Sequence, residues 1–386
     1  MHIVYVTPDF VDNLGPTTGL PKYLLRVSVA LVDFGHKVTI VACSNRSVVY
    51  DFSGIHIRRV RRPNIISYGD QEKDTEASFC RDAQIVHDEL IYLSKHEKID
   101  IIQYTSLSGV SCFHDLKIPA VMRLSSYSCM VPIPGSELQQ YTRAKIERDA
   151  ATKCNAIFAP SEVVARRFEK DTGINVDVIE SPFLLECNYE DTSVYDSLFS
   201  DKKYVLFYGT IIEFKGLCVI ADAIHSILEN DTNIYVGIIG EGDRKLVDRI
   251  KTNAGEYAQR VIYHEALGFS RLLPIIKNAQ AIMLPSLTEN FSNACVESMA
   301  LGKIVIGTRG ASFEQLIEDE VNGFLCEIGD PLSLIDAIAR LFSLNDDARM
   351  EMQRLAKHRT EVLHPNIAVK KLLNYYKEII ARYNAY

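Results

Sequence analysis

The segment formed by residues 284–310 constrains the fold of this chain most strongly. It starts at the end of an apolar run that Pro285 terminates. After a polar loop, residues 292–301 have helical composition, and Gly302 stands where a C-terminal cap belongs. Residues 304–306 are apolar without alternation, as in a strand that is buried on both faces. Strand, loop, short helix and strand make one βαβ unit, which predicts a parallel α/β sheet.

Two glutamates follow the first strand of this unit. Glu289 lies in the loop, and Glu297 follows on the helix with seven residues between them. Ligands of open α/β sheets bind at the carboxyl ends of the strands. The amides of residues 291–294 begin the helix and, with its dipole, favour an anion such as phosphate. Two carboxylates beside a phosphate-binding helix end suit a sugar nucleotide, and two solvated glutamates flanking an ordinary helix are the alternative interpretation.

Length and composition narrow the class of protein. The 386 residues suffice for two domains of about 190 residues each. A net charge of −8 argues against nucleic acid as the main partner. We expect no transmembrane helix and no signal peptide, because no apolar run is long enough and the first residues resemble a strand. Nine scattered cysteines without a CxxC pair predict reduced thiols, no zinc site and a cytoplasmic location.

A similar βαβ unit opens the chain. Residues 2–7 and 37–42 are predicted strands, residues 20–34 are a predicted helix, and Gly19 stands where the loop meets the helix. Such a junction can cradle a phosphate, although a plain tight turn would also explain the glycine. The loop lacks GxGxxG, which disfavours a nicotinamide-dependent oxidoreductase.

The βαβ units carry motifs of a known family. The pattern PSxxExFxxxxxESMAxGKxVI at residues 285–306 resembles the donor-site signature of the retaining GT-B glycosyltransferases, in particular glycosyltransferase family 4. GHKVTI at residues 35–40 matches the second strand of that family, and residues 155–162 resemble its A-P-S segment. Ordered landmarks of this kind extend over essentially the whole chain.

The resemblance implies an α/β chain of the GT-B fold, with two Rossmann-like domains facing a cleft. Residues 1–183 would be the acceptor domain and residues 184–365 the nucleotide-sugar domain. The acidic, tyrosine-rich residues 186–203 have weak periodicity and are the predicted linker. Residues 366–386 would form a C-terminal helix that crosses back to pack on the first domain.

The resemblance also implies roles for individual residues. Glu289 and Lys215 would be catalytic, with Glu289 on the sugar hydroxyls and Lys215 beside the leaving diphosphate. Glu297 would bind the ribose, and Gly19 would lie close to the phosphates. The other predicted donor-binding residues are Gly209, Thr210, Gly240, Asn290, Phe291, Ser292 and Asn293. Thr105, Arg123 and Ser125 are predicted on the acceptor side.

The chain departs from the family pattern at two places. Thr210 stands where relatives carry an arginine that clamps the diphosphate, so Lys215 supplies one point charge without a bidentate contact. Thr105 and Ser125 occupy the strand ends where many relatives carry a histidine. The family's retaining reaction does not depend on a protein nucleophile there.

The implied function is transfer of a sugar from a nucleotide-diphosphate sugar to a saccharide or lipid-linked saccharide, in surface polysaccharide or glycolipid assembly. No DxD cluster is evident in the donor loop, so we expect no essential metal ion and no other cofactor. Peripheral contact with the inner face of the membrane through Arg58, Arg59, Arg61 and Arg62 is a further hypothesis. A nucleotide-sugar epimerase of the same fold and a non-catalytic nucleotide-sugar-binding descendant are the alternative functions.

Overall fold

The chain forms two compact α/β units. The computed structural model describes residues 1–10, 19–64, 69–130, 137–186 and 189–385. One unit comprises Met1–Phe183 with Leu363–Tyr386, and the other comprises Leu184–Val362. The chain thus returns to the first unit at Leu363, slightly before the predicted residue 366.

The first unit is built on an eight-stranded sheet. Its strands are β1 His2–Thr7, β2 Lys37–Ser44, β3 Val48–Phe52, β4 Ile55–Arg61, β5 Ile101–Thr105, β6 Ala120–Arg123, β7 Ala156–Ala159 and β8 Asp177–Val178. They lie in the order β3-β4-β2-β1-β5-β6-β7-β8. All neighbouring pairs are parallel except β3 and β4. The helices are α1 Gly19–Asp33, α2 Gln71–His96, α3 Glu137–Ala151 and α4 Glu162–Thr172.

The second unit is built on a six-stranded parallel sheet. Its helices are α5 Ser193–Leu198, α6 Leu217–Asn230, α7 Arg244–Ala254, α8 Phe269–Asn278, α9 Asn293–Ala300, α10 Pro331–Ser343 and α11 Asp346–Glu361. Its strands are β9 Lys203–Tyr208, β10 Ile234–Ile239, β11 Val261–His264, β12 Ala281–Met283, β13 Val305–Thr308 and β14 Phe324–Cys326. They lie in the order β11-β10-β9-β12-β13-β14, with β9 in the middle.

The central strand β1 shows why the first sheet is covered on both faces. All six of its residues are buried, and successive side chains point to opposite faces. Ile3 and Tyr5 pack with α1, whereas Val4 and Val6 pack with α2. A strand that is apolar on both faces is typical of a parallel sheet between two helical layers, which confirms the predicted fold class.

The last helix, α12 Pro365–Asn384, belongs to the first unit. It buries Val369, Leu372 and Tyr376 against the face that carries Tyr5. The Tyr376 hydroxyl donates to the side-chain oxygen of Gln103 on β5 and lies 3.2 Å from the Tyr5 hydroxyl. The predicted return of the C-terminal helix is therefore confirmed, and a buried hydrogen bond anchors it to the sheet.

One strand was missed, and one local prediction was wrong. Strand β3 was not predicted, and it pairs with β4 through the two-residue turn of Ser53 and Gly54, which have φ of 50° and 78°. Residues 186–203 were predicted to be a linker. They include the short helix α5, which packs on α8. Six residues are too few for helical periodicity to stand out in the sequence.

We predict that Tyr376→Phe weakens the attachment of α12. The substitution keeps the ring but leaves the buried Gln103 oxygen without its donor, which costs about 1–3 kcal/mol of the free energy of unfolding. Urea unfolding of the first unit measures this loss. Tyr383→Phe near the end of the same helix is the control, and an equal loss in both variants would contradict the anchoring role.

Candidate functional site

The predicted donor-binding residues of the second unit lie at the carboxyl edge of its sheet. Gly209 follows β9 directly, and Gly240 follows β10. Glu289 lies in the loop after β12, and Glu297 lies on α9. Strand β9 is the middle of the sheet and neighbours both β10 and β12, so these loops are brought side by side.

The loops after β9 and β10 are joined through their backbones. The Gly209 N–H donates to the Ile239 carbonyl at 3.0 Å, and the Ile211 N–H donates to the Glu241 carbonyl at 2.8 Å. A Cβ on Gly240 would lie 1.8 Å from the Gly209 carbonyl oxygen. Only glycine therefore permits this close approach, which is the physical reason for glycine at the end of β10.

An open cavity of about 370 Å³ lies beside these glycines. Its walls combine main-chain atoms with apolar side chains, and it is lined by Tyr208, Gly209, Thr210, Ile239, Gly240, Glu241, Ala266, Leu267 and Leu272. The sequence predicted Gly209, Thr210 and Gly240 but missed the others. Tyr208 and Ile239 are the last residues of β9 and β10, and Glu241 and Ala266 lie two residues beyond the ends of β10 and β11, so position at a strand end was the available signal.

The loop that carries Lys215 is fastened to the loop that carries Glu289. Gly216, with φ of 80°, ends the turn Glu213–Lys215, and a Cβ there would lie 1.9 Å from the Pro285 carbonyl oxygen. The Leu287 N–H donates to the Phe214 carbonyl at 2.8 Å. The backbone therefore fixes both loops at close range.

Lys215 and Glu289 meet as an ion pair. The Lys215 Nζ donates to Glu289 Oε2. The side chains are 26% and 13% exposed, so solvent screens this pair only in part. Removing either partner would leave a partly buried charge uncompensated. The structure thus brings together the two residues that the resemblance identified as catalytic.

Tyr208 supports the second glutamate and was missed by the sequence analysis. Its hydroxyl donates to the Ala294 carbonyl at 2.8 Å and lies 3.0 Å from Ser298 Oγ, both on α9. The pKa of the Tyr208 phenol lies well above its ordinary value, mainly because the side chain is buried and secondly because the Glu297 carboxylate is nearby. The phenol therefore remains a neutral donor that fixes α9, and with it Glu297, to β9.

The residues around the start of α9 differ in what their side chains do. Ser292 is the N-cap, and its Oγ accepts from the Cys295 N–H at 3.3 Å. Its hydroxyl is thus engaged by the helix itself. Asn290, Phe291 and Asn293 are half-buried around the same helix end. Gly302, with φ of 69°, closes the helix as predicted.

The other predicted site residues lie in the first unit. Gly19 begins α1 and is exposed, whereas residues 11–18 of its predicted loop lie outside the described residues. Thr105 and Arg123 pair in register at the ends of β5 and β6, and both are buried. Among the three predicted acceptor-side residues, only Ser125 is half-exposed.

Arg123 is an internal anchor in this structure. Its guanidinium lies 3.7 Å from the centroid of the Tyr23 ring and donates to Ser125 Oγ at 3.0 Å and Ser181 Oγ at 2.8 Å. Burial lowers its pKa, but an arginine starts so high that it stays charged. Arg123 thus positions Ser125 and is 5% exposed itself.

The basic cluster at β4 is largely engaged within the protein. Arg58 pairs with Glu89, and Arg62 pairs with Asp82 at 2.9 Å. These contacts reduce the positive charge available to an anionic surface. Within the described ranges, no helix is long and apolar enough to cross a membrane. The same part of the chain contains no cluster of three or more His, Cys, Asp or Glu residues suited to a metal ion.

We predict that Gly240→Ala destabilises the second unit. The added Cβ would collide with the Gly209 carbonyl and force the two loops apart, which costs about 1–3 kcal/mol of the free energy of unfolding. Thermal or urea unfolding measures the loss. Gly268→Ala is the control, because its Cβ meets no atom within 4 Å, and a loss as large in the control would contradict the steric explanation.

Comparisons with known proteins agree with this geometry. Residues 17–182 match the family model described as Glycosyltransferase Family 4, and residues 202–344 match the model described as Glycosyl transferases group 1. The uncharacterized glycosyltransferase MJ1607 of Methanocaldococcus jannaschii is 28% identical and is covered over 89% of either chain. The first curated relatives are matched over 37% to 63% of their own length.

Solved structures show the same fold. Sucrose-phosphate synthase from Thermosynechococcus elongatus superposes with a TM-score of 0.79 at 16% identity, over 99% of both chains. Anabaena HepE, solved in complex with UDP, gives a TM-score of 0.69 at 15% identity, over 97% of this chain and all of that one. From the two family models and the fold, the chain belongs to the family 4 glycosyltransferases of the GT-B class, with a group 1 transferase domain as its second unit.

Proposed function

We propose that this chain is a configuration-retaining glycosyltransferase of the hexosyltransferase type. It moves a sugar from a nucleotide-diphosphate sugar to a hydroxyl acceptor. The observation that carries the proposal is the Lys215–Glu289 pair, held by joined loops at the sheet edge that also contains the cavity. A cation for phosphate and a carboxylate for sugar hydroxyls are thereby fixed together.

The nucleoside is assigned to the cavity beside Gly209 and Gly240. Its volume of about 370 Å³ and its mixture of main-chain and apolar walls suit a base. Glu297, steadied through Tyr208, is the acceptor for the ribose hydroxyls. UDP is the first nucleotide to test, because the similar HepE structure contains UDP.

Donor binding exchanges the partners of the ion pair. In the structure, the charges of Lys215 and Glu289 satisfy each other. A diphosphate competes with Glu289 for Lys215, and the released carboxylate then accepts hydrogen bonds from the sugar hydroxyls. One event thus places the cation on the leaving group and the carboxylate on the sugar.

The reaction breaks the bond between the anomeric carbon and the diphosphate oxygen. Lys215 stabilises the negative charge that develops on the diphosphate, assisted by the N-terminus of α9. The acceptor hydroxyl attacks from the face that the diphosphate leaves, which retains the anomeric configuration. Its proton passes to a departing phosphate oxygen. In this scheme Lys215 and the helix end supply the positive charge, so the transfer proceeds without an essential metal ion or another cofactor.

The acceptor is assigned to a saccharide or a lipid-linked saccharide, in surface polysaccharide or glycolipid assembly. This assignment and a cytoplasmic location, with peripheral contact at the inner membrane face, follow the resemblance to family 4. Because Arg58 and Arg62 are paired internally, membrane contact would depend on other groups.

We predict that Glu289→Gln lowers donor hydrolysis by at least about 100-fold, because the variant loses the carboxylate that orients the sugar. The measurement is slow hydrolysis of UDP-, GDP- and dTDP-sugars in the presence of EDTA. Glu213→Gln, an exposed glutamate in the same turn as Lys215, is the matched control and should retain wild-type hydrolysis.

The panel also discriminates the alternatives. A non-catalytic binding protein, for which Thr210, Thr105 and Ser125 are the motivation, predicts a nucleotide that stabilises the wild type thermally. No donor would then release that nucleotide, with or without candidate acceptors. Conversion of the donor sugar without nucleotide release would indicate an epimerase. Equal hydrolysis by wild type and Glu289→Gln would contradict the assigned role of the ion pair.

A further inference from the structure

The β6 loop consists of residues 124–130, which follow strand β6. It begins at the carboxyl end of β6, and it carries Ser125, the half-exposed member of the predicted acceptor-side residues. Its first residue is tied to the sheet, because the Leu124 N–H donates to the Phe158 carbonyl at 2.8 Å. The rest of the loop leaves the sheet and needs other partners.

Ser128 in the β6 loop is bound through three polar groups, all by helix α3. Its N–H donates to Glu147 Oε2 at 2.9 Å, and its hydroxyl donates to Glu147 Oε1 at 2.7 Å. Its carbonyl accepts from Gln140 Nε2 at 2.9 Å. Both carboxylate oxygens of Glu147 are thus directed at a single loop residue.

The neighbours of Ser128 are held from other directions. The Tyr127 hydroxyl donates to Asp171 on α4 at 3.0 Å and accepts from Arg148 on α3 at 3.2 Å. The Ser126 carbonyl accepts from Ser106 Oγ at 2.9 Å. The β6 loop is therefore docked by side chains and not by regular secondary structure.

Glu147 is an unusual residue to find at the centre of this docking. Its side chain is 1% exposed, and burial raises its pKa to about 7 despite the hydrogen bonds from Ser128 and the positive charges of Arg143 and Arg148. Burying a carboxyl group costs free energy unless hydrogen bonds or ion pairs compensate for the lost hydration. Its hydrogen bonds contribute that compensation, and among the described residues they reach only the β6 loop.

We propose that Glu147 is the positioning residue of the β6 loop, and that its contacts with Ser128 hold Ser125 in place on the acceptor side. The acceptor role of the loop rests on the proposed function. The docking itself rests only on the contacts of Glu147. The docking and the acceptor role can therefore be disproved separately.

The protonation state of Glu147 sets how firmly the loop is docked. A released loop would return the carboxyl to solvent and to an ordinary pKa, whereas the docked loop raises that pKa. The docked state therefore binds the proton more tightly, so docking is firmest below the ordinary carboxyl pKa, weakens as the pH rises to about 7 and changes little above that. The charged or titratable side chains that act on Glu147 or on the loop residues beside Ser128 are Arg143 and Arg148 on α3, Tyr127 and Cys129 in the loop, and Arg167 and Asp171 on α4. Glu72 on α2 contacts the same helix α3 through Thr142.

Two substitutions separate docking from general stability. Glu147→Gln mimics the protonated acid, because its oxygen accepts from the Ser128 N–H and its amide donates to Ser128 Oγ. Glu147→Ala removes both contacts. Glu137→Gln, an exposed glutamate at the start of the same helix, is the matched control. Amide hydrogen exchange of peptides spanning residues 124–130, from pH 5 to 8.5 on the full chain, measures docking after correction for intrinsic exchange.

We expect Glu147→Ala to lose at least tenfold in protection of the β6 loop relative to Glu147→Gln at every pH. The wild type should lose protection as the pH rises from 5 to about 7 and change little above that, and Glu147→Gln should stay protected throughout. Unchanged protection in Glu147→Ala, or equal loss in Glu147→Gln and Glu147→Ala, would overturn the proposal. UDP binding, read in parallel on the second unit, should be the same in all variants, and its absence in the wild type would count against UDP as the nucleotide and not against the docking.

Discussion

The ion pair between Lys215 and Glu289 is the contact on which the site of the second unit depends. Each residue comes from a different loop, and in the proposed function the pair supplies the opposite charges that a nucleotide-diphosphate sugar needs. Its position is set by backbone constraints, namely the close approach of Gly216 to Pro285 and the hydrogen bond between Leu287 and Phe214. The charges are therefore preorganised before any ligand arrives, which is the condition for electrostatic catalysis.

Preorganisation in both units follows from the same sheet geometry. Parallel strands bring their carboxyl ends to one edge, and the loops beyond that edge require separate fixing. In the second unit, glycines allow backbones to touch, as Gly240 does at Gly209. In the first unit, buried side chains fix the loops, since Arg123 donates to Ser125 and Glu147 accepts from Ser128. The proposed donor side is thus fixed by backbone contacts, and the proposed acceptor side by ionisable side chains.

The features that could be predicted from the sequence are those that depend on a local residue pattern. The βαβ rhythm, the cap at Gly302 and the placement of Glu289 and Glu297 follow from periodicity and motif spacing, and the structure confirms these elements. The sequence did not predict β3 or α5, because five or six residues give little periodic signal. Nor could spacing reveal that Tyr208 supports α9 or that Arg123 is buried, because both depend on contacts between residues far apart in the chain.

The most direct test of the account is the affinity of UDP for the wild type, Lys215→Met and Glu289→Gln. UDP has the diphosphate but lacks the sugar that is transferred, so Glu289 acts on it only as a competitor for Lys215. Ion-pair exchange therefore predicts weaker UDP binding by Lys215→Met and tighter binding by Glu289→Gln than by the wild type, measured by isothermal titration calorimetry. Weaker or unchanged binding by Glu289→Gln would contradict the exchange.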